Sequence, residues 1–255
     1  MLLLHRMRRS LTLALLGLVL GSVSHTEEVT VAVAANFAMP VETLVERFTE
    51  RHPHTVTVIK GSTGGLYAQI VNGAPYDVFI AADRSRPRLL AESQRALGET
   101  QFTIALGRLA LWSRDAAFVE AKGLGALEND ALRHLAIANP DLAPYGAAAR
   151  QTLESLGLWE KLYPRIVRGE NVAQAYAMVA TGNAEMGLIA LSQALAPPSG
   201  GHYFVVPETL HAPIRQDAIL LTRGRENVAA LMLLEYLSSE DARAVIRAFG
   251  YGVPE

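Results

Sequence analysis

The sequence predicts an α/β protein folded as two lobes. Three observations carry that reading. Strand-like apolar runs alternate with segments of helical spacing, the second half repeats the organisation of the first, and about 230 residues follow an N-terminal leader, enough for two medium domains with separate cores. The leader is residues 1–24. Arg6, Arg8 and Arg9 precede an apolar run over 11–20 and the small residues Gly21, Ser22, Val23 and Ser24, the pattern of a secretory signal peptide. Its apolar core is too short for a spanning helix, which needs about 20 residues. Cleavage is expected near Ser24, so the fold begins near His25.

The first lobe opens with a strand over 29–33, a turn at Asn36, and a helix marked by Val41, Leu44, Val45 and Phe48. A second strand over 55–59 meets the turn Gly61-Ser62-Thr63-Gly64-Gly65, and a helix starts near Leu66. A buried strand over 78–82 ends at Asp83, before a helix over 87–92. Such alternation implies a parallel sheet. The long strand signal over 102–112 breaks at Gly107, where the chain is expected to change lobes. In the second half, strands over 135–138, 166–167 and 186–190 alternate with helices over 147–156 and 172–180. Strands over 203–206 and 218–221 follow, and then two amphipathic helices, 228–237 and 242–249, which return to the first lobe. The division is therefore 25–106 plus 218–255 for lobe 1 and 107–217 for lobe 2. The Pro- and Gly-rich stretch 194–201 reads as an exposed loop.

Composition removes several functions. There is no cysteine, hence no disulfide, thiolate ligand or cysteine nucleophile. With 23 basic against 25 acidic residues, the chain has no overall attraction for nucleic acid or an anionic membrane. The seven histidines show no metal-ligand spacing, and neither a Gly-x-Ser-x-Gly elbow nor a His-Glu-x-x-His helix occurs. Gly61 to Gly65 lacks the Lys-Ser/Thr ending of a nucleotide-binding loop. Asp77 and Asp83 read as turn-ordering residues rather than a catalytic pair.

The remaining chemistry lies at helix starts. Asn36, Ser62-Thr63, Pro144-Tyr145-Gly146 and Asn171-Val172 each stand between a strand and a helix. A helix N-terminus presents unpaired N–H groups and the positive end of the macrodipole, so it binds an anion without a formal charge. Taken singly, Asn36, Thr63 and Asn171 are equally well ordinary caps, each contributing about 1 kcal/mol. Taken together beyond the carboxyl ends of the strands, they would form a neutral anion cage.

Several motifs occur in order: Ala34-Ala35-Asn36-Phe37, Gly61-Ser62-Thr63-Gly64, the stretch 72–83 containing Gly-Ala-Pro-Tyr-Asp-Val-Phe, Asn139-Pro140 through Gly146, 171–175, and Phe249-Gly250-Tyr251. With these the chain resembles the periplasmic molybdate-binding proteins over essentially its whole mature length. The resemblance implies a type II periplasmic binding protein fold, in which two α/β lobes close over a tetrahedral dianion held by neutral donors. It implies that Asn36 donates from its side chain, Thr63 through its hydroxyl and N–H, and Tyr145 and Val172 through their N–H groups, with Ala35 and Ser62 in support. Many family members carry serine where Asn36 stands, and some a tyrosine donor on the strand that here ends in Ala190, which cannot donate through its side chain. The implied protein is no enzyme and carries no cofactor or directly coordinated metal cation. It is a monomer in the periplasm, outside the membrane once the leader is cleaved, that takes molybdate or tungstate to an ABC transporter permease. The alternatives are a receptor of similar fold for sulfate or another small anion, or an exported hydrolase.

Overall fold

A computed structural model describes residues 26–254 apart from 120–121 and 197–199. The expected signal peptide and the centre of the expected loop at 194–201 lie outside the described residues. The chain builds two five-stranded sheets. It begins with β1 (Glu28–Ala34), α1 (Ala38–Arg51), β2 (Thr55–Gly61), α2 (Thr63–Val71), β3 (Val78–Ala81), α3 (Ser85–Glu92) and β4 (Phe102–Gly107). It continues with β5 (Leu109–Ser113), α4 (Ala116–Val119), β6 (Leu135–Ala138), α5 (Pro144–Ser155), α6 (Trp159–Leu162), β7 (Ile166–Gly169), α7 (Val172–Ala180), β8 (Met186–Ala190), α8 (Leu191–Leu195) and β9 (His202–Val205). The last elements are β10 (Ile214–Leu220), α9 (Val228–Leu237) and α10 (Glu240–Ala248).

The first sheet has the order β2-β1-β3-β10-β4 and the second β7-β6-β8-β5-β9. Three strands of each run parallel, as the β/α alternation requires: β2, β1 and β3 in one, β7, β6 and β8 in the other. Both sheets are nevertheless mixed, which alternation alone did not indicate. β10 runs antiparallel to β3 and β4, and β5 runs antiparallel to β8 and β9. The antiparallel strands are those that flank the crossings between sheets. At the first crossing the apparent long strand of 102–112 divides into β4 and β5, on different sheets, around Gly107 and Arg108.

The return crossing precedes Ile214, and residues 214–217 already pair with β4 in the first sheet. The sequence boundary at 217/218 lay later because Arg215, Gln216 and Asp217 interrupt the apolar pattern. Gln216 and Asp217 are nonetheless fully buried, and Asp217 accepts from Thr103 Oγ1 at 2.8 Å and Gln101 Nε2 at 2.7 Å. A polar residue that finds its partners inside a sheet gives no apolar signal.

Each sheet has its own core. On one face of the first, Val29, Val31, Val33, Val78 and Ile80 pack with α1, α9 and α10 through Leu44, Phe48, Leu233 and Ile246. On its other face Phe79, Leu66, Ile70 and Leu90 bring in α2 and α3. The second sheet buries Leu111, Trp112, Ile137, Leu188 and Ile189 against Ala149, Leu153 and Val179 of α5 and α7. No helix among the described residues is long and apolar enough to cross a membrane.

Candidate functional site

A small cavity lies where the carboxyl ends of the two sheets face each other. Ala34 ends β1 and Ala35 and Asn36 follow it, Gly61 ends β2 and Ser62 and Thr63 follow it, and Ala82 follows β3. Ala143, Pro144 and Tyr145 from the start of α5, with Asn171 and Val172 from the start of α7, complete the wall. All six residues singled out from the sequence (Ala35, Asn36, Ser62, Thr63, Tyr145 and Val172) therefore line one small space. Among the described residues, no charged side chain lines it. A larger, open hollow beside it shares Ala82, Ala143 and Pro144 but contains Asp83, Arg84, Arg86 and Arg215. Its mixed charges distinguish it from the neutral set.

Local structure decides which donors reach the cavity. At the start of α2, Ser62 caps the helix by accepting from the Gly65 N–H at 3.2 Å, and the Gly64 N–H donates to the Leu142 carbonyl at 2.8 Å. Of that turn, the Thr63 N–H is the one taken by neither. The Thr63 hydroxyl accepts from the Ala82 N–H at 3.0 Å, which uses a lone pair and leaves its proton free to donate. At the start of α7, the Asn171 side chain accepts from Ala173 at 3.0 Å and Gln174 at 3.1 Å, again passing over the first N–H, that of Val172. α5 starts with Pro144, which has no N–H, after Ala143, which has no capping side chain, so the N–H groups of its first turn begin with Tyr145. Three helix starts thus leave at least one uncapped N–H each, and Thr63, Tyr145 and Val172 all line the same space.

Two glycines make this approach possible. A Cβ on Gly146 would stand 2.7 Å from the Asn139 carbonyl carbon and closer still to the Ala138 carbonyl oxygen, so only glycine lets α5 start so near the end of β6. A Cβ on Gly64 would stand 2.9 Å from the Leu142 carbonyl oxygen, a contact by which the two halves touch beside the cavity.

Asn36 lines the cavity, and its side-chain amide is bonded within the protein. It lies in a 3-10 turn, Ala35–Phe37, and its amide nitrogen donates to Gln216 Oε1 at 2.7 Å and to the Tyr251 hydroxyl at 3.2 Å. Both amide hydrogens are thereby directed to protein partners behind the cavity. Tyr251 donates to the Asn36 carbonyl at 2.6 Å and lies 2.9 Å from Ser192 Oγ. Ala190 ends β8 with no polar side chain, and this cluster of hydroxyls and amides stands next to it. Tyr145 is also buried, and its hydroxyl has no hydrogen-bond partner among the described residues. Burial first, and then Tyr251, pushes the Tyr145 pKa well above the ordinary phenol value, and burial raises that of Tyr251. Both stay neutral at physiological pH, so neither adds negative charge beside an anion.

Gln216, Ser192 and the Tyr251 hydroxyl had no assigned role in the sequence reading. The signal for Gln216 was a polar residue inside a strand that continues as Ala218, Ile219 and Leu220. Asp77 and Asp83 lie outside the cavity and order local structure. Asp77 accepts from the Thr30 N–H at 2.8 Å and pairs with Arg223, and Asp83 accepts from the Arg86 N–H at 2.9 Å. Among the described residues, no group of three or more histidines and carboxylates gathers as a metal site.

The chain matches the family of bacterial extracellular solute-binding proteins over residues 29–252. It is 45% identical to a molybdate-binding protein of Azotobacter vinelandii over 245 residues, which cover 95% of this chain and 97% of the relative. It is 46% identical to a molybdate-binding protein of Rhodobacter capsulatus over 224 residues, 88% of each chain. Its fold is similar to the solved periplasmic molybdate-binding protein of Azotobacter vinelandii with a TM-score of 0.85 and 38% identity, covering 89% of this chain and all of that one.

Proposed function

Because the chain belongs to the bacterial extracellular solute-binding proteins and, within them, to the molybdate-binding group, we propose that it captures molybdate or tungstate and delivers it to an ABC transporter permease. The observation that carries the reading is the neutral cavity. The uncapped N–H groups of Thr63, Tyr145 and Val172 and the free hydroxyl proton of Thr63 converge there, and no charged side chain among the described residues lines it. Helix-start N–H groups around a small space stabilise negative charge, and such a donor-only set favours an ion that is fully deprotonated near neutral pH. Phosphate, which still carries a proton there, would need an acceptor. Molybdate and tungstate carry two charges and present only acceptor oxygens.

In this reading the two sheets are the cores of two lobes that close over the ion, with β4, β5 and β10 beside the crossings. The protein acts in the periplasm as a monomer after removal of residues 1–24. It works by binding and release, without catalysis or cofactor, and engages neither nucleic acid nor the bilayer. A sulfate receptor is the second reading, since sulfate has the same charge and shape and differs in size.

Titration of purified, anion-stripped protein with molybdate, tungstate, sulfate and phosphate separates these readings. Thermal stability and the fluorescence of the buried Trp112 and Trp159 are the readouts. A ligand that binds only the folded protein raises its stability by mass action, about 2.7 kcal/mol at a hundredfold excess over Kd. Saturable stabilisation by molybdate or tungstate but not by sulfate or phosphate is the expected result. A response to sulfate alone, or to none of the four, overturns the assignment.

A further inference from the structure

The polar cluster behind Asn36 has more bonding capacity than it uses. Asn36, Ser192, Gln216 and Tyr251 are all buried, and they come from the first turn after β1, from α8, from β10 and from the end of the chain. The Asn36 amide nitrogen spends both hydrogens on Gln216 Oε1 and the Tyr251 hydroxyl. The Gln216 amide nitrogen is buried without a partner among the described residues, an arrangement that costs about 1–3 kcal/mol for an ordinary donor. Asn36 also lines the anion cavity.

We propose that Gln216 and Tyr251 are positioning residues for the anion site: by turning over together with the Asn36 amide, they control whether that side chain offers its donor to the cavity. For Asn36 to donate to an anion, its amide must turn so that Oδ1 takes the place of Nδ2 against the cluster. That needs donors where acceptors now stand. Gln216 supplies one by turning its own amide, which brings the unpartnered Nε2 against Asn36 Oδ1. Tyr251 supplies the other by redirecting its proton from the Asn36 carbonyl oxygen to Oδ1. Ser192 Oγ, which already donates to that carbonyl oxygen at 3.3 Å, remains as its donor. The exchange moves hydrogen bonds without breaking a covalent bond or changing any charge. Ser192 follows β8 of the second sheet and Asn36 follows β1 of the first, so the cluster joins the two halves.

The inference rests on the proposed anion-binding function, and wild-type protein titrated with molybdate is the control that tests that reading separately. Tyr251→Phe keeps the edge-on ring contact with Phe37, at 5.2 Å between centroids, and removes only the hydroxyl. Gln216→Met removes both amide functions at similar volume. Where wild type binds, each variant is expected to lose about fivefold to tenfold in molybdate affinity, the size of one net hydrogen bond. The same substitutions in an Asn36→Ser background, whose shorter hydroxyl does not need the amide exchange, are expected to lose less than about twofold, since residues acting through one group are non-additive. Side-chain amide NMR signals of Asn36 and Gln216 should shift together on molybdate addition to wild type. Ser192→Ala provides a smaller change at the same cluster should either larger variant fold poorly, with a loss expected in the same direction. Wild-type affinity in these variants, or equal losses in the wild-type and Asn36→Ser backgrounds, overturns the proposal.

Discussion

The two halves of the molecule reach the same cavity with different chemistry. The first half brings one side-chain donor, the Thr63 hydroxyl, beside the Thr63 N–H, while the side chains of Ser62 and Asn36 line the wall bonded to Gly65 and to Gln216 and Tyr251. The second half brings backbone, since Pro144 and Ala143 cannot donate through side chains and the Asn171 side chain is committed to Ala173 and Gln174. Tyr145 and Val172 contribute position in the chain more than residue type. The first half therefore encodes part of its donor set in side-chain identity, and the second in the geometry with which helices start. Substitution should separate them: identity matters most in the first half, and room for the backbone matters most in the second.

The largest effect is expected at Gly146. Gly146→Ala drives a Cβ into the Ala138 carbonyl oxygen, well inside van der Waals contact, and the helix start must move away from β6. Thermal unfolding should show a loss of about 3 kcal/mol, in the range of overpacked buried sites, together with loss of molybdate binding. Unchanged stability would mean that α5 does not depend on that approach. Next is Gly64→Ala, whose Cβ meets Leu142 across the contact between the halves. The expected outcome is at least about tenfold faster release of molybdate in stopped-flow measurements, the kinetic equivalent of about 1.4 kcal/mol, with the melting temperature of the anion-free protein little changed. A large drop in that melting temperature instead would assign the contact to folding rather than closure.

Thr63→Val retains shape and removes the hydroxyl. It should cost about tenfold in affinity and about 1–2 kcal/mol in stability, because the buried Ala82 N–H loses its acceptor. The smallest effect is expected at Asn171→Ala, which loses a helix cap worth about 1 kcal/mol but leaves the Val172 N–H in place. Calorimetric affinity within about threefold of wild type would support backbone donation from the second half, and a loss as large as that of Thr63→Val would break the contrast.

Much of this division was legible in the sequence. Alternating apolar runs located nearly all of the strands because a buried parallel strand must be apolar on both faces, as in β1, β3 and β6. The helix starts carried glycine, proline and asparagine for local reasons, so the residues of the cavity wall could be named before their contacts were known. The crossings were less legible. Gly107 marked one, but Arg215, Gln216 and Asp217 concealed the other, since the burial of Gln216 and Asp217 depends on partners over a hundred residues away.

By itself the sequence determined the α/β class, the absence of cysteine chemistry, the positions of the helix starts and the neutral character of the residues around them, because these follow from local patterning and composition. Only the tertiary structure decided that these starts meet in one space, that both sheets are mixed, and that the Asn36 amide faces Gln216 and Tyr251. Those facts depend on contacts between segments 180 and 215 residues apart, where the geometry of one partner has no meaning until the other has arrived.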